Sequence, residues 1–225
     1  METSIKIKLN ESLFIRDPED TTLGRSLIRN SIELMDQVGY EDFTFKKLAA
    51  HMGSTEASIY RYFENKHKLL IYLVSWYWAY MSFKIDFETN NLKNPKSKLK
   101  KIISIISDIH KSEIVSGEVS IHTLQKIVIS EAAKSYLIKD IDAVNKYGAF
   151  HEHKSLCRKI ASLIAQINPR YKYPSSVASS LLETAHQQVY FALHLPSLSD
   201  LRKTANNHVE ITSFLEHFIF NLIDK

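Results

Sequence analysis

Apolar residues along this chain recur mainly at three- and four-residue intervals, which is the spacing of amphipathic α-helices. The first such run begins after Thr21 or Thr22, either of which can cap a helix, and ends at Gly39, a residue type favoured just past a helix end. Residues 1–20 instead alternate apolar and polar side chains and finish in a polar run. We therefore predict a tail over residues 1–20, with a short extended segment, followed by the first helix.

Two short helical patterns come next, close together in the chain. Thr44 can cap a helix that Gly53 ends, and Ser54 or Thr55 can cap the following one. Two short helices joined by a tight turn at a glycine are typical of a helix-turn-helix, in which the second helix enters the major groove of DNA.

Beyond this cluster the pattern predicts only longer helices. One extends from His67 to about Phe87, and the others lie between breaks at Gly and Pro, over residues 97–115, 121–144, 151–167, 175–193 and 205–223. The predicted fold is all-α. It has an N-terminal three-helix helix-turn-helix domain over residues 21–66 and a C-terminal helical bundle over residues 67–225, in which helix 67–87 connects the two domains.

Composition narrows the class of protein. Five Gly and five Pro in 225 residues favour long helices, and a net charge of +4 permits a nucleic-acid partner without requiring one. The single Cys157 excludes an intramolecular disulfide framework and a thiolate zinc finger, and it fits a reducing cytoplasm. Since no signal peptide and no run of ~18 apolar residues is present, we expect a cytoplasmic protein without a membrane segment.

No pattern in the sequence indicates catalysis, a cofactor or a metal site. A Gly-rich phosphate loop, a G-x-S-x-G elbow and an H-E-x-x-H pair are all missing from the sequence. His151 and His153 are two positions apart, which does not suit a metal pair on one helical face. We therefore expect neither an enzyme nor a bound metal or cofactor.

The second helix of the cluster determines what the motif can contact. Ala57, Ser58 and Arg61 lie on the face away from Ile59, and an arginine there would prefer guanine. Residues 21–70 contain seven Lys and Arg against six Asp and Glu, so charge alone does not decide whether this region binds DNA. A structural helix-turn-helix that never contacts DNA remains an alternative at this point.

The spacing of particular residues identifies a family. The runs Thr44–Ala49, Gly53–Thr55 and Ser58–Phe63, with Lys66 and Leu69-Leu70, closely resemble the tetracycline-repressor (TetR) family. The resemblance implies ligand-responsive DNA binding by a homodimer, and it places Lys46, Ser58, Tyr60, Tyr62 and Lys66 at DNA. Ser54 and Glu56 depart from the family pattern, and Glu56 would either accept a hydrogen bond from cytosine or repel the backbone. The full predicted DNA-binding set is Thr44, Lys46, Thr55, Glu56, Ala57, Ser58, Tyr60, Arg61, Tyr62 and Lys66.

An aromatic stripe on helix 67–87 has two interpretations. It is either core packing or the wall of a pocket for a small apolar or aromatic effector, since helix 67–87 matches the helix that commonly contacts the effector in the family. Polar groups on other helices would complete such a pocket, although a hydrogen-bonded core histidine is the simpler interpretation. The predicted pocket residues are Tyr72, Trp76, Tyr80, Phe83, His110, His186 and Tyr190.

The last two helices are apolar over broad arcs, which indicates self-association as a two-fold four-helix interface. The predicted interface residues are Leu181, Leu182, Ala185, Val189, Phe214, Leu215 and Phe218. A two-fold dimer would present two recognition helices to a palindromic operator in double-stranded DNA. The prediction is a homodimeric repressor that a small apolar or aromatic effector releases. The alternative is a helical protein-interaction module that does not bind DNA.

Overall fold

The computed structural model describes residues 7, 9–108, 114–115, 119–201 and 207–224. These residues form eleven α-helices, so the predicted all-α class is confirmed. The helices are α1 (Thr22–Asp42), α2 (Phe45–His51), α3 (Glu56–Tyr60), α4 (Lys66–Thr89), α5 (Pro95–Ser107), α6 (Ile121–Glu131), α7 (Ala133–Tyr136), α8 (Ile141–Lys146), α9 (His151–Ile167), α10 (Pro174–His194) and α11 (Asn207–Ile223). Within the described residues, no helix is long and apolar enough to span a bilayer.

Two predicted helices have different bounds in the structure. The segment predicted over 97–115 ends at Ser107, and a two-stranded antiparallel ribbon, β1 (Ile114–Val115) and β2 (Val119–Ser120), follows it. The segment predicted over 121–144 is divided into α6, α7 and α8. Because neither Gly nor Pro occurs between residues 121 and 144, the sequence has no local signal for those breaks.

The chain forms two compact units. The first contains Met1–Ala79 and His110–His151, and the second contains Tyr80–Ile109 and Glu152–Lys225. This division differs from the predicted boundary after residue 66. The reason is that α6 packs along α1, which brings residues from the middle of the chain into the first unit.

The first unit has its core beneath the helix-turn-helix. Leu27 and Ile32 of α1 are buried together with Leu48, Ile59 and Phe63 of the following elements. Gly39 leaves the helical conformation with φ 74°, at the predicted helix end, and one further turn precedes α2. Burial of several large apolar side chains at about 1.5–3 kcal/mol each gives this small unit most of its stability.

The predicted tail over residues 1–20 is wrong for its second half. Leu9 and Leu13 are buried, and Pro18 packs beneath α1. Two short 3-10 helices, Glu11–Leu13 and Pro18–Asp20, shape this segment, with Asn10 and Asp17 as their caps. Three apolar residues at intervals of four and five positions are too few to be recognised as a packed element from sequence.

The second unit is built on contacts between α5, α10 and α11. Its buried positions repeat at helical spacing along each of these helices, as the sequence predicts. An ion pair between Lys96 and Asp224 (2.7 Å) and another between Lys100 and Glu216 (3.3 Å) join α5 to the α11 end of the chain. These pairs are half-exposed, and each contributes at most about 1 kcal/mol.

Candidate nucleic-acid interface

Local capping sets the geometry of the helix-turn-helix. Oγ1 of Thr44 accepts a hydrogen bond from the Lys47 amide (3.2 Å) at the start of α2. Oγ1 of Thr55 accepts from the Ser58 amide (3.4 Å) at the start of α3, and the Ser54 amide donates to the Ala49 carbonyl (2.8 Å) in the turn between them. Both predicted caps are confirmed.

The turn depends on a glycine. Gly53 has φ 61°, in the left-handed region that only glycine adopts at little cost. It redirects the chain so that α3 presents one face to α2 and the opposite face to solvent. Ile59 is completely buried on the inner face, whereas Glu56, Ala57 and Tyr60 are exposed.

Two positively charged side chains lie beside α3. Lys46 and Arg61 are exposed, and neither side chain has a hydrogen bond or ion pair with any residue that the structure describes. Tyr60 is 48% exposed, and its ring packs edge-on against Phe45 at 5.1 Å, which fixes it to the base of α2. Most of the predicted DNA-binding set is therefore exposed on or beside α2 and α3, with Ser58 half-buried. These exposed residues, here called the open surface, are Thr44, Lys46, Thr55, Glu56, Ala57, Tyr60 and Arg61.

Tyr62 does not belong to that surface. Its side chain is only 2% exposed, and its hydroxyl lies 2.6 Å from Oγ1 of Thr21. The Tyr62 carbonyl also accepts a hydrogen bond from the Ile15 amide (2.8 Å). The prediction of a free hydroxyl able to reach phosphate is therefore corrected, because the hydroxyl is used inside the unit.

Lys66 is likewise occupied by the fold. Its Nζ donates to the carbonyls of Tyr40 and Glu41 (3.0 Å each) and lies 4.6 Å from the centroid of the Tyr40 ring. The charge therefore satisfies carbonyl groups just past Gly39, and it joins the start of α4 to the end of α1. The prediction that Lys66 extends to DNA is corrected to this structural role.

Part of the predicted pocket set is core. Tyr72 is buried between Phe14 and Phe63, at ring distances of 6.1 Å and 5.3 Å, and burial raises its pKa well above the ordinary value. Trp76 is buried in the same unit. These two residues agree with the core-packing interpretation of the aromatic stripe.

The remaining predicted pocket residues belong to the second unit or lie outside the described residues. Tyr80 and His186 are buried, whereas Phe83 is half-exposed and stacks on the more exposed Phe87 at 6.4 Å. The Tyr190 ring lies 4.7 Å from the His194 ring. His110 falls outside the residues that the structure describes.

His186 is the strongly perturbed titratable group of the second unit. Burial, with a smaller effect from the nearby His153, lowers the pKa of His186 to about 4, and burial also lowers the pKa of His153. Both imidazoles are therefore neutral near pH 7. No group of three or more His, Cys, Asp or Glu side chains within the described residues could hold a metal ion.

Most of the predicted dimer-interface residues are already buried within one chain. Their burial inside the second unit corrects this prediction for Leu181, Leu182, Ala185, Val189 and Leu215. Packing within one chain thus accounts for most of the apolar surface from which self-association was predicted. Phe214 and Phe218 remain half-exposed, and their rings stack at 6.2 Å along α11.

An open groove lies beside Phe214. It has a volume of about 600 Å³ and is lined by Asp200, Leu201, Val209, Glu210, Ser213, Phe214 and His217. The outer face of α11 thus has an open groove of mixed polar and apolar lining, whereas the face that carries Leu215 is closed.

Part of the first unit matches a known protein family. Residues 27–73 match the model of the family described as bacterial regulatory proteins, tetR family. That match contains α2 and α3 and the start of α4, so it includes the whole open surface described above. It agrees with the expectation that the chain is a regulator and not an enzyme. No curated protein sequence matched the chain.

Solved structures resemble the fold over most of the chain. AibR, in complex with isovaleryl coenzyme A and operator DNA, is 16% identical with a TM-score of 0.59, covering 88% of this chain and 97% of that one. The fatty acid degradation regulator FadR from Bacillus halodurans is 14% identical with a TM-score of 0.56, covering 85% and 94%. The superantigen PfiT is 14% identical with a TM-score of 0.57, covering 88% and 94%. At these identities the likeness shows the fold alone.

Proposed function

We propose that this chain, which belongs to the tetR family of bacterial regulatory proteins through its residues 27–73, is a sequence-specific DNA-binding transcriptional regulator. The observation that supports this most directly is the open surface around α3. It combines a capped helix start with two exposed cations, Lys46 and Arg61, that have no partner among the described residues. Free cations beside a helix that fits the major groove suit a phosphate backbone and base edges.

Roles follow from position on this surface. Thr44, Lys46 and Tyr60 contact phosphates, and the start of α3 at Thr55 directs backbone N–H groups towards another. Ala57, Ser58 and Arg61 read bases, with Arg61 donating to guanine. Glu56, which is exposed beside them, accepts from cytosine or disfavours other bases.

We further propose a homodimer that acts as a repressor in the cytoplasm, where bacterial DNA lies. Phe214 and Phe218, with the exposed Leu222 one turn further along α11, form the apolar stripe that a second copy would cover. A two-fold axis through such an interface would place two copies of α3 on a palindromic operator.

The signal in this proposal is a small apolar or aromatic molecule bound by the second unit. A protein of the same fold, AibR, is described with both a coenzyme A ester and operator DNA. In this chain, Tyr80 and His186 are buried in the second unit and supply polar groups among its apolar core residues. Release of DNA then requires that the effector bind the DNA-incompetent conformation more tightly.

Selection from a random duplex library tests the proposal. Full-length protein should enrich one palindromic sequence, and binding to it should weaken steeply as salt rises, because phosphate contacts release counterions. A scrambled duplex of equal length and composition is the control. Equal affinity for both duplexes, or no binding at 50–200 mM salt, would instead favour a helical protein-interaction module.

A further inference from the structure

The N-terminal segment over residues 9–20, here called the strap, contacts the exit of the recognition helix. The Ile15 amide donates to the carbonyl of Tyr62 (2.8 Å), and the Arg16 guanidinium lies 5.9 Å from the centroid of the Tyr62 ring. Thr21, which directly follows the strap, contacts the Tyr62 hydroxyl (2.6 Å) and caps α1 through the Gly24 amide (2.9 Å). Tyr62 is therefore held through its carbonyl, its ring and its hydroxyl.

The middle of the strap is fixed to the start of α4. Nζ of Lys68 donates to the Ser12 carbonyl (3.0 Å), and the Phe14 ring meets the Tyr72 ring edge-on (6.1 Å). Leu13, which lies between Ser12 and Phe14 in the chain, is only 1% exposed. Since Tyr72 also contacts Phe63, the strap and the end of the helix-turn-helix share one aromatic cluster.

The beginning of the strap is bonded to a turn far along the chain. Asn10 Nδ2 and Ser12 Oγ both donate to the carbonyl of Tyr147, each at 3.1 Å. Gly148 follows with φ 78°, and a Cβ at this position would lie 2.6 Å from Asn10 Nδ2. Glycine thus suits the backbone conformation of this turn, and its missing side chain leaves room for the Asn10 amide.

We propose that the strap positions the carboxyl end of the recognition helix and couples it to the turn at Tyr147-Gly148. This turn leads directly into α9. A displacement of the Tyr147 carbonyl changes the hydrogen bonds of Asn10 and Ser12, and the same strap then changes its contacts with Tyr62. Tyr62, Asn10 and Ser12 are positioning residues in this view, and none of them contacts DNA.

The proposal rests on the proposed function only for its effect on DNA affinity. The coupling itself is measurable without DNA, through amide hydrogen exchange of the full-length protein. The Ile15 amide reports the bond to Tyr62 directly, and a peptide over residues 56–63 reports the recognition helix and its exit.

The first experiment removes both donors to the turn with Asn10→Ala and Ser12→Ala together. We expect exchange of the Ile15 amide and of peptide 56–63 to become severalfold faster. Affinity for the duplex that the wild type selects should fall by about threefold to tenfold, as expected for loss of one or two weak hydrogen bonds. Asn94→Ala, which removes a similar Asn cap at the start of α5, is the matched control and should leave both readouts unchanged.

A second variant acts from the other side of the contact. Gly148→Ala should speed exchange of Ile15 because the new methyl group displaces Asn10. Gly39→Ala has nearly the same φ (74°) but nothing within 4 Å of its added Cβ, so it controls for backbone strain. Adding Asn10→Ala should change exchange at Ile15 less in Gly148→Ala than in the wild type, since both substitutions break the contact with the turn. The remaining effect is the loss of the cap that Asn10 gives to Glu11–Leu13.

Two outcomes would overturn the proposal. In the first, a variant exchanges faster around residues 147–151, while its exchange at Ile15 and over residues 56–63 stays at the wild-type rate. The other is an equal response of Ile15 to Gly39→Ala and Gly148→Ala. If the double variant does not fold, Ser12→Ala alone is measured by the same criteria. If no duplex is selected, the proposed function fails while the exchange result still decides the coupling.

Discussion

The hydroxyl of Tyr62 and Oγ1 of Thr21 lie 2.6 Å apart, although 41 positions separate the two residues in the chain. This hydrogen bond joins the end of the helix-turn-helix to the cap of α1. It also explains why a tyrosine whose position resembles a DNA contact in the TetR family is buried here. Its polar group stabilises the unit that presents α3.

Tyr62→Phe should therefore lower stability. Removing one part-buried hydrogen bond, while Thr21 Oγ1 still accepts from the Gly24 amide, should reduce the free energy of unfolding by about 0.5–1.5 kcal/mol, measured by urea denaturation. Tyr60→Phe is the matched control, because the Tyr60 side chain is exposed, and its unfolding free energy should stay within about 0.5 kcal/mol of wild type. Unchanged stability of Tyr62→Phe with weakened DNA binding would instead indicate a phosphate contact.

Arg61→Ala and Lys46→Ala should weaken DNA binding in different ways. Loss of a base-reading arginine should cost about 1–3 kcal/mol of binding free energy and relax the preference at one base pair. Loss of a phosphate-binding lysine should instead reduce the slope of log affinity against log salt concentration, here called the salt slope, by about 1 for all sequences. Fluorescence anisotropy at several salt concentrations measures both effects. Lys93→Ala, which removes an exposed lysine of the second unit, should change neither quantity.

Lys66→Met should lower the stability of the protein without changing its contacts with DNA. The variant retains an unbranched apolar chain but leaves the carbonyls of Tyr40 and Glu41 without this donor, so the free energy of unfolding should fall by about 1 kcal/mol. The salt slope of DNA binding should remain that of the wild type. A slope reduced by about 1 would show that Lys66 contacts phosphate after all.

The two faces of α11 should respond differently to substitution. Phe214→Glu with Phe218→Glu should shift the protein from dimer to monomer in sedimentation equilibrium while each chain stays folded, because both rings are half-exposed. Leu215→Ala, on the closed face, should instead lower the free energy of unfolding by about 2–5 kcal/mol. A dimer that survives both glutamates would exclude this face as the interface. Phe87→Glu, at a 76% exposed position on α4, is the control.

Acidification should destabilise the second unit through His186. Its pKa is lowered to about 4 in the folded state, against about 6.5 when unfolded, so the unfolded chain binds more protons between these values. The folded state therefore keeps its full stability above pH 6.5. As pH falls towards 4, protonation of His186 in the unfolded chain lowers the free energy of unfolding by about 3 kcal/mol in total. Urea denaturation between pH 7 and pH 4.5 measures it.

A variant separates this effect from general acid denaturation. His186→Gln should reduce the loss of unfolding free energy over that pH range, whereas His194→Gln, at an exposed position, should follow the wild type. Identical pH dependence in all three proteins would show that His186 does not titrate within this range.

The sequence by itself determined the local features of this protein. Helical periodicity predicted the class, and the caps at Thr44 and Thr55 with the turn at Gly53 defined the helix-turn-helix. The spacing of the residues around α3 also indicated the family whose model matches residues 27–73. Each of these signals lies within a few positions along the chain, because helix formation, capping and tight turns depend on neighbours three or four residues apart.

Only the tertiary structure decided which of those residues remain free to contact DNA or another chain. Tyr62 and Lys66 are engaged by Thr21 and by the end of α1, and the apolar stripe of α10 is buried within its own unit. The strap meets a turn 137 positions away through Asn10. Such partners leave no periodic signal in sequence, because hydrogen bonding and burial between distant segments depend on how the helices pack.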